Sequence, residues 1–123
     1  MLKSKKILVV DDEEGFLALL KQALEERGFE VVTASNPLDA GIEIVSSLPA
    51  LILMDIKMPG MDGLEACEIL KKNPNTKDVP IVVISALSDE SDINDAKKIG
   101  VADYFVKPVD MERLIVRIRT IIG

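Results

Sequence analysis

A chain of 123 residues has the length of one ordinary domain, enough to bury a single core but not two. With 48% hydrophobic residues but only 3% aromatic, that core must be aliphatic, which suits a parallel sheet covered by helices. A formal charge of −6 and the absence of histidine argue against direct nucleic-acid binding and remove imidazole bases, Ser-His nucleophile pairs, the usual zinc sites and any phosphohistidine on this chain.

Residues 6–10 (KILVV) form a short β-branched run that stops abruptly at Asp11, Asp12, Glu13 and Glu14, which predicts a buried strand. Over 14–27 the apolar residues Phe16, Leu20, Ala23 and Leu24 recur at helical spacing, and Gly28 stands where a helix C-terminus favours it. Residues 31–34 predict a second strand, and Asn36-Pro37 supplies an N-cap and first-turn proline for a helix reaching about Ser47. A third strand over 51–54 is closed by Asp55, and the MPGMDG segment at 58–63 predicts a loop feeding a helix that carries Cys67 and runs to about Asn73. A fourth strand over 81–84 ends at Ser85, a short helix over 92–99 is stopped by Gly100, and 103–106 predicts the last strand. After Lys107-Pro108, the residues Met111, Leu114, Ile115, Ile118 and Ile122 mark one face of a terminal helix.

Five alternations of strand and helix, without repeats, predict one α/β domain over 1–123: a doubly wound, five-stranded parallel sheet with helices on both faces. A lone cysteine cannot form an internal disulfide, no secretory leader is recognisable, and no apolar run approaches the roughly 20 residues that span a bilayer. The expected location is cytoplasmic, with no membrane contact. The chain is compatible both with a stand-alone domain and with one excised from a longer protein.

In parallel sheets the C-terminal strand ends share one rim, where ligands bind. Asp11 and Asp12 follow the first strand, Asp55 the third, Ser85 the fourth and Lys107 the fifth, so all are expected in one cleft. Three clustered carboxylates repel one another and call for a cation. Oxygen-only ligands without histidine favour Mg²⁺, with Mn²⁺ as a substitute and Ca²⁺ for a roomier site. A carboxylate, a hard divalent cation and a lysine facing one another suit phosphoryl transfer. Taken singly, each residue has a plainer reading. Asp11 and Asp12 could end a strand and cap a helix, Asp55 could start a turn, Lys107 could be a surface charge, and Ser85 could satisfy local backbone. Tyr104 could be ordinary core, while Cys67, Met54, Met58 and Met61 read as packing.

Together, DD at Asp11 and Asp12, LILMDIKMPGMDG around Asp55, SA at Ser85 and Ala86, and DYFVKP ending at Lys107 and Pro108 resemble the response-regulator receiver domains over essentially the whole chain. The resemblance implies the flavodoxin-like strand order 2-1-3-4-5. It implies that Asp55 is the phosphorylated nucleophile, supplied by a histidine kinase or phosphotransfer protein, and that the chain is a self-catalysing phosphoacceptor rather than an enzyme. It further implies Mg²⁺ held by Asp11, Asp12, Asp55 and the Lys57 carbonyl, Lys107 on the phosphoryl oxygens, Ser85 and Tyr104 as switch residues, and a cis Lys107-Pro108 bond. Lys57 and Leu87 match the positions that set the lifetime of the acyl phosphate. Output is expected at the fourth helix, fifth strand and fifth helix, toward a partner protein or an attached output domain. A homodimer through that face would pair Asp103 with Arg117, although Arg113 and Ile93 break its other charge pairs. Two positions depart from the family pattern: Ala50 replaces an acidic residue, and Ser85 replaces the commoner threonine, keeping the hydroxyl. The competing readings are a Mg²⁺-dependent phosphohydrolase, for which no second acid or substrate cap is evident, and an interaction module indifferent to phosphorylation.

Overall fold

In the computed structural model, which describes residues 5–58 and 61–123, the aliphatic runs form five parallel strands: β1 (Lys6–Val10), β2 (Glu30–Ala34), β3 (Leu51–Met54), β4 (Ile81–Ser85) and β5 (Asp103–Val106). They alternate with helices α1 (Glu14–Glu25), α2 (Pro37–Ser46), α3 (Gly63–Lys72), α4 (Glu90–Ile99) and α5 (Met111–Ile122). The sheet order is β2-β1-β3-β4-β5, as expected. Because β1 lies between β2 and β3, the chain leaves it first to one side and later to the other, which opens a crevice at the C-terminal ends of β1 and β3.

Alternation along each strand divides the core into two layers, since successive side chains point to opposite faces. Ile7, Val9, Leu51, Leu53, Val82 and Ile84 meet Leu17, Leu20 and Leu24 of α1 and Leu114, Ile115 and Ile118 of α5. On the other face Leu8, Val10, Ile52, Met54, Ile81 and Val83 meet α2, α3 and α4 through Ala40, Ile44, Ala66, Cys67 and Ala96. Each fully buried Val, Leu or Ile contributes about 1.5–3 kcal/mol relative to exposure, so these two layers drive assembly of the sheet. Met54 and Met58 belong to this second layer as packing. On the outer side of α2, Leu38, Ile42 and Val45 form an exposed apolar stripe.

Several boundaries move. Helix α1 stops at Glu25 instead of 27, because Glu26, Arg27 and Gly28 turn the chain into β2. Helix α4 starts at Glu90, two residues earlier than expected from its apolar positions, since polar first-turn residues continue the helix after Asp89. Its end is as expected: Gly100 adopts φ +106°, a left-handed cap that only glycine takes without strain. The side chain of Asn36 caps α2 by accepting the Asp39 N–H at 2.9 Å. The segment expected as a plain loop contains a small antiparallel ribbon, Lys57–Met58 against Met61–Asp62; its Pro59 and Gly60 lie outside the described residues. Among the described residues, no helix is long and apolar enough to cross a membrane.

Candidate functional site

Strand register sets the rim. Val10 is level with Ala34 on one side and Met54 on the other. The next residues continue both ladders, Asp11 N–H donating to Ala34 O at 3.1 Å and Asp55 N–H to Val10 O at 2.9 Å. Asp11 and Asp55 therefore emerge side by side, each held by its own backbone. On the other side of β3, Ser85 ends β4 opposite Val106, and the Lys107 N–H donates to Ser85 O at 2.8 Å. The Lys107-Pro108 bond is cis.

The carboxylates of Asp11, Asp12 and Asp55 each bring an oxygen within 4.8 Å of the others. Asp11 and Asp55 are buried, whereas Asp12 is exposed at the mouth. Lys107 Nζ bridges the two buried acids, at 2.7 Å from Asp11 Oδ2 and 3.4 Å from Asp55 Oδ2. The other oxygens accept backbone N–H groups two residues on, Asp11 Oδ1 from Glu13 and Asp55 Oδ1 from Lys57, both at 2.9 Å. These bonds orient the carboxylates while leaving lone pairs toward the cleft. Burial raises the Asp11 carboxyl above its usual range, outweighing the Lys107 and Glu13 hydrogen bonds, and the Asp55 charge adds to the rise. Burial works against the Lys107 ammonium, but its hydrogen bond to Asp11 and the charges of Asp11 and Asp55 win, so it is held more firmly protonated than a free lysine. Both groups thus rise: the acid through lost water, the base through two anions.

Three formal carboxylates face one ammonium. The donors are all oxygen, close together and already oriented, with no nitrogen or sulfur ligand among them. That set fits a hard divalent cation of the Mg²⁺ type, which keeps part of its water shell.

Ser85 is fully buried, and its Oγ accepts the Leu87 N–H at 3.1 Å. The Tyr104 hydroxyl donates to the Leu87 carbonyl at 2.7 Å. Both hydroxyls therefore converge on the backbone of Leu87. Burial raises the Tyr104 hydroxyl, the Ser85 hydroxyl opposes the rise, and the charges of Asp92, Asp55 and Asp89 reinforce it.

Two results were not foreseen. Phe16, counted with the core stripe of α1, is only half-buried, and its ring centre lies 4.3 Å from Lys107 Nζ. The fully buried stripe of α1 runs through Leu17, Leu20 and Leu24, with Phe16 packed against the same layer. The available signal was an aromatic side chain in the first turn after the Asp pair, in a chain with three phenylalanines. Second, Asp103 and Arg117, which a dimer through that face would bring together, also pair within the chain, Nε to Oδ2 at 2.8 Å, because β5 and α5 bring them together. Cys67 lies away from this chemistry, wholly buried in α3, and burial pushes its thiol up to about 12.

The family model described as the response regulator receiver domain matches residues 7–119. The chain is 39% identical over 118 residues to the response regulator PleD of Caulobacter vibrioides, covering 96% of this chain and 26% of PleD. It is 37% identical to the phosphate regulon transcriptional regulatory protein PhoB of Rhizobium meliloti, covering 95% of this chain and 52% of PhoB. The chain thus spans a quarter to a half of the length of these relatives. A solved receiver domain of a response regulator from Bermanella marisrubri superposes with a TM-score of 0.90 at 35% identity, covering 98% of this chain and all of that one. With this sheet order and this match along nearly its whole length, the chain belongs to the response-regulator receiver domains of two-component signalling.

Proposed function

We propose that Asp55 accepts a phosphoryl group from a phosphohistidine on a histidine kinase or phosphotransfer protein. The observation that carries this reading is the Asp55 carboxylate, buried at a strand end beside two further carboxylates and 3.4 Å from an ammonium. An Asp55 oxygen attacks phosphorus, the bond to the histidine nitrogen breaks, and an acyl phosphate forms. The Lys57 N–H holds Oδ1, so the carboxylate needs no reorientation before attack. Lys107 already lies beside Asp55 and neutralises charge on the phosphoryl oxygens as it arrives. Asp11, Asp12, Asp55 and the Lys57 backbone carbonyl hold Mg²⁺, or Mn²⁺ in its place, which when bound offsets the negative charge of both reactants. The residues act once per phosphorylation rather than turning over a small substrate, so the chain is a phosphoacceptor with slow self-dephosphorylation, not an enzyme.

Ser85 and Tyr104 transmit the change. The Ser85 hydroxyl moves from the Leu87 N–H toward the phosphoryl group, and Tyr104 follows through the same backbone. The surface they reach is that of α4, β5 and α5, where Val106 and Val116 are exposed. A downstream protein, or an output domain attached to this one, reads that surface. A second copy of the chain binding through the same surface would meet the Asp103–Arg117 pair there. The unit spans residues 1–123 and works in the cytoplasm.

A small phosphodonor such as acetyl phosphate with Mg²⁺ should add one phosphate to the wild-type chain and none to Asp55→Asn or in excess chelator, read by intact mass. Full uptake by Asp55→Asn refutes the assignment, and continuous phosphate release from an arbitrary monoester would favour the phosphohydrolase.

A further inference from the structure

Lys107 is held on three sides: by Asp11 Oδ2 at 2.7 Å, by Asp55 Oδ2 at 3.4 Å and by the Phe16 ring, whose centroid lies 4.3 Å from Nζ. The first two walls are anions that change in service, because Asp55 becomes an acyl phosphate and a bound cation would compete for the oxygens of both. The ring does not change. Its quadrupole attracts an ammonium over the face whatever the charge state of the carboxylates, and more strongly where water is excluded. Lysine is also the side chain most in need of such help, since its flexible stem and point charge give it no fixed direction of its own. Phe16 stands on the first turn of α1, directly after the segment carrying Asp11 and Asp12, and α1 is anchored by Leu17, Leu20 and Leu24 in the core. The ring therefore belongs to a rigid element rather than to the loop that bears Lys107.

We propose that Phe16 is a positioning residue for phosphoryl transfer, holding the Lys107 ammonium over its ring so that the lysine stays aimed at the site when the carboxylate contacts are rearranged. The proposal rests on the reading of Asp55 as acceptor. A purely structural Phe16 would be served equally well by any apolar side chain of similar bulk, whereas this role requires an electron-rich face.

Two measurements decide between them. The first is NMR: ring current should shift the Lys107 ε-methylene protons upfield in the wild type and in Phe16→Tyr, and the shift should vanish in Phe16→Leu. The second is the rate of phosphate uptake from acetyl phosphate as a function of donor concentration. It is measured for Phe16→Leu, Phe16→Tyr and chains carrying mono-, di- and trifluorinated phenylalanine at position 16, which keep the shape and weaken the quadrupole. The rate at saturating donor should fall stepwise with fluorination and by roughly three- to tenfold in Phe16→Leu, a change within reach of one cation–π contact, with Phe16→Tyr close to wild type. Equal saturating rates across the fluorinated series and Phe16→Leu would overturn the proposal, as would the absence of an upfield shift in the wild type. If the wild type takes no phosphate, the reading of Asp55 fails instead, and the NMR arm still decides whether Phe16 holds the lysine.

Discussion

Replacing Gly63 by alanine tests how tightly the acidic rim is tied to the core. Gly63 opens α3, and its N–H donates to Ile56 O at 3.1 Å. A Cβ there would lie 2.8 Å from both the carbonyl carbon and the oxygen of Ile56, and closer still to its Cα. These are backbone atoms and cannot swing aside, so the strain belongs at the upper end of overpacking costs, about 3 kcal/mol. Gly→Ala recovers up to about 1 kcal/mol of helix propensity, leaving a net loss of about 2 kcal/mol. At about 2.1 cal/mol/K per residue, the unfolding entropy of 123 residues is about 260 cal/mol/K, so Tm should fall by about 8 °C. Ile56 directly follows Asp55, so relief of the clash should also displace the carboxylate and slow phosphate uptake. Gly41→Ala in α2 is the opposite-sign control: an added Cβ there meets nothing within 4 Å, and stability should rise by up to about 1 kcal/mol. Thermal melts by circular dichroism and urea titrations measure both. A Gly63→Ala chain melting at or above the wild type would refute the close approach.

Cys67 should resist iodoacetamide at pH 8–9 until the chain unfolds, because its buried thiol is pushed up to about 12. The unfolded thiol ionises first, so this group lowers stability progressively as pH rises from about 8.5 toward the folded value; brisk alkylation of the native chain would contradict its burial. Leu87→Ala and Lys57→Asn should each shorten the life of the phosphorylated form under excess Mg²⁺, by up to about tenfold, since that factor needs only about 1.4 kcal/mol. Unchanged or slower decay in both variants would remove these residues from the path of the attacking water. Beryllofluoride, a phosphoryl mimic, should alter amide exchange across α4, β5 and α5, and Tyr104→Phe, which deletes the hydroxyl donated to Leu87 O, should blunt that response. A response confined to the Asp55 loop would leave the switch without a mechanism.

The strands were legible in sequence because a sheet buried on both faces demands unbroken aliphatic runs, and KILVV, LILM and IVVI leave no other use for themselves. Asp11, Asp12, Asp55, Ser85 and Lys107 were legible as a group for the same reason: each breaks such a run, and parallel strands bring their breaks to one rim. Helix ends were read less well where polar residues carry no periodicity, as at Glu90, which lies ahead of the apolar positions of its helix. What tertiary structure alone decided is which neighbour each side chain meets across elements. Arg117 lies on α5 so that Asp103 of its own chain is within reach, and the two pair there. Phe16, half-buried against the core, also meets Lys107, 91 positions further along the chain, a contact that helical periodicity cannot register. Periodicity reports which face of an element is buried, whereas the partner on that face depends on strand order and crossover direction, and these exist only once the sheet is assembled.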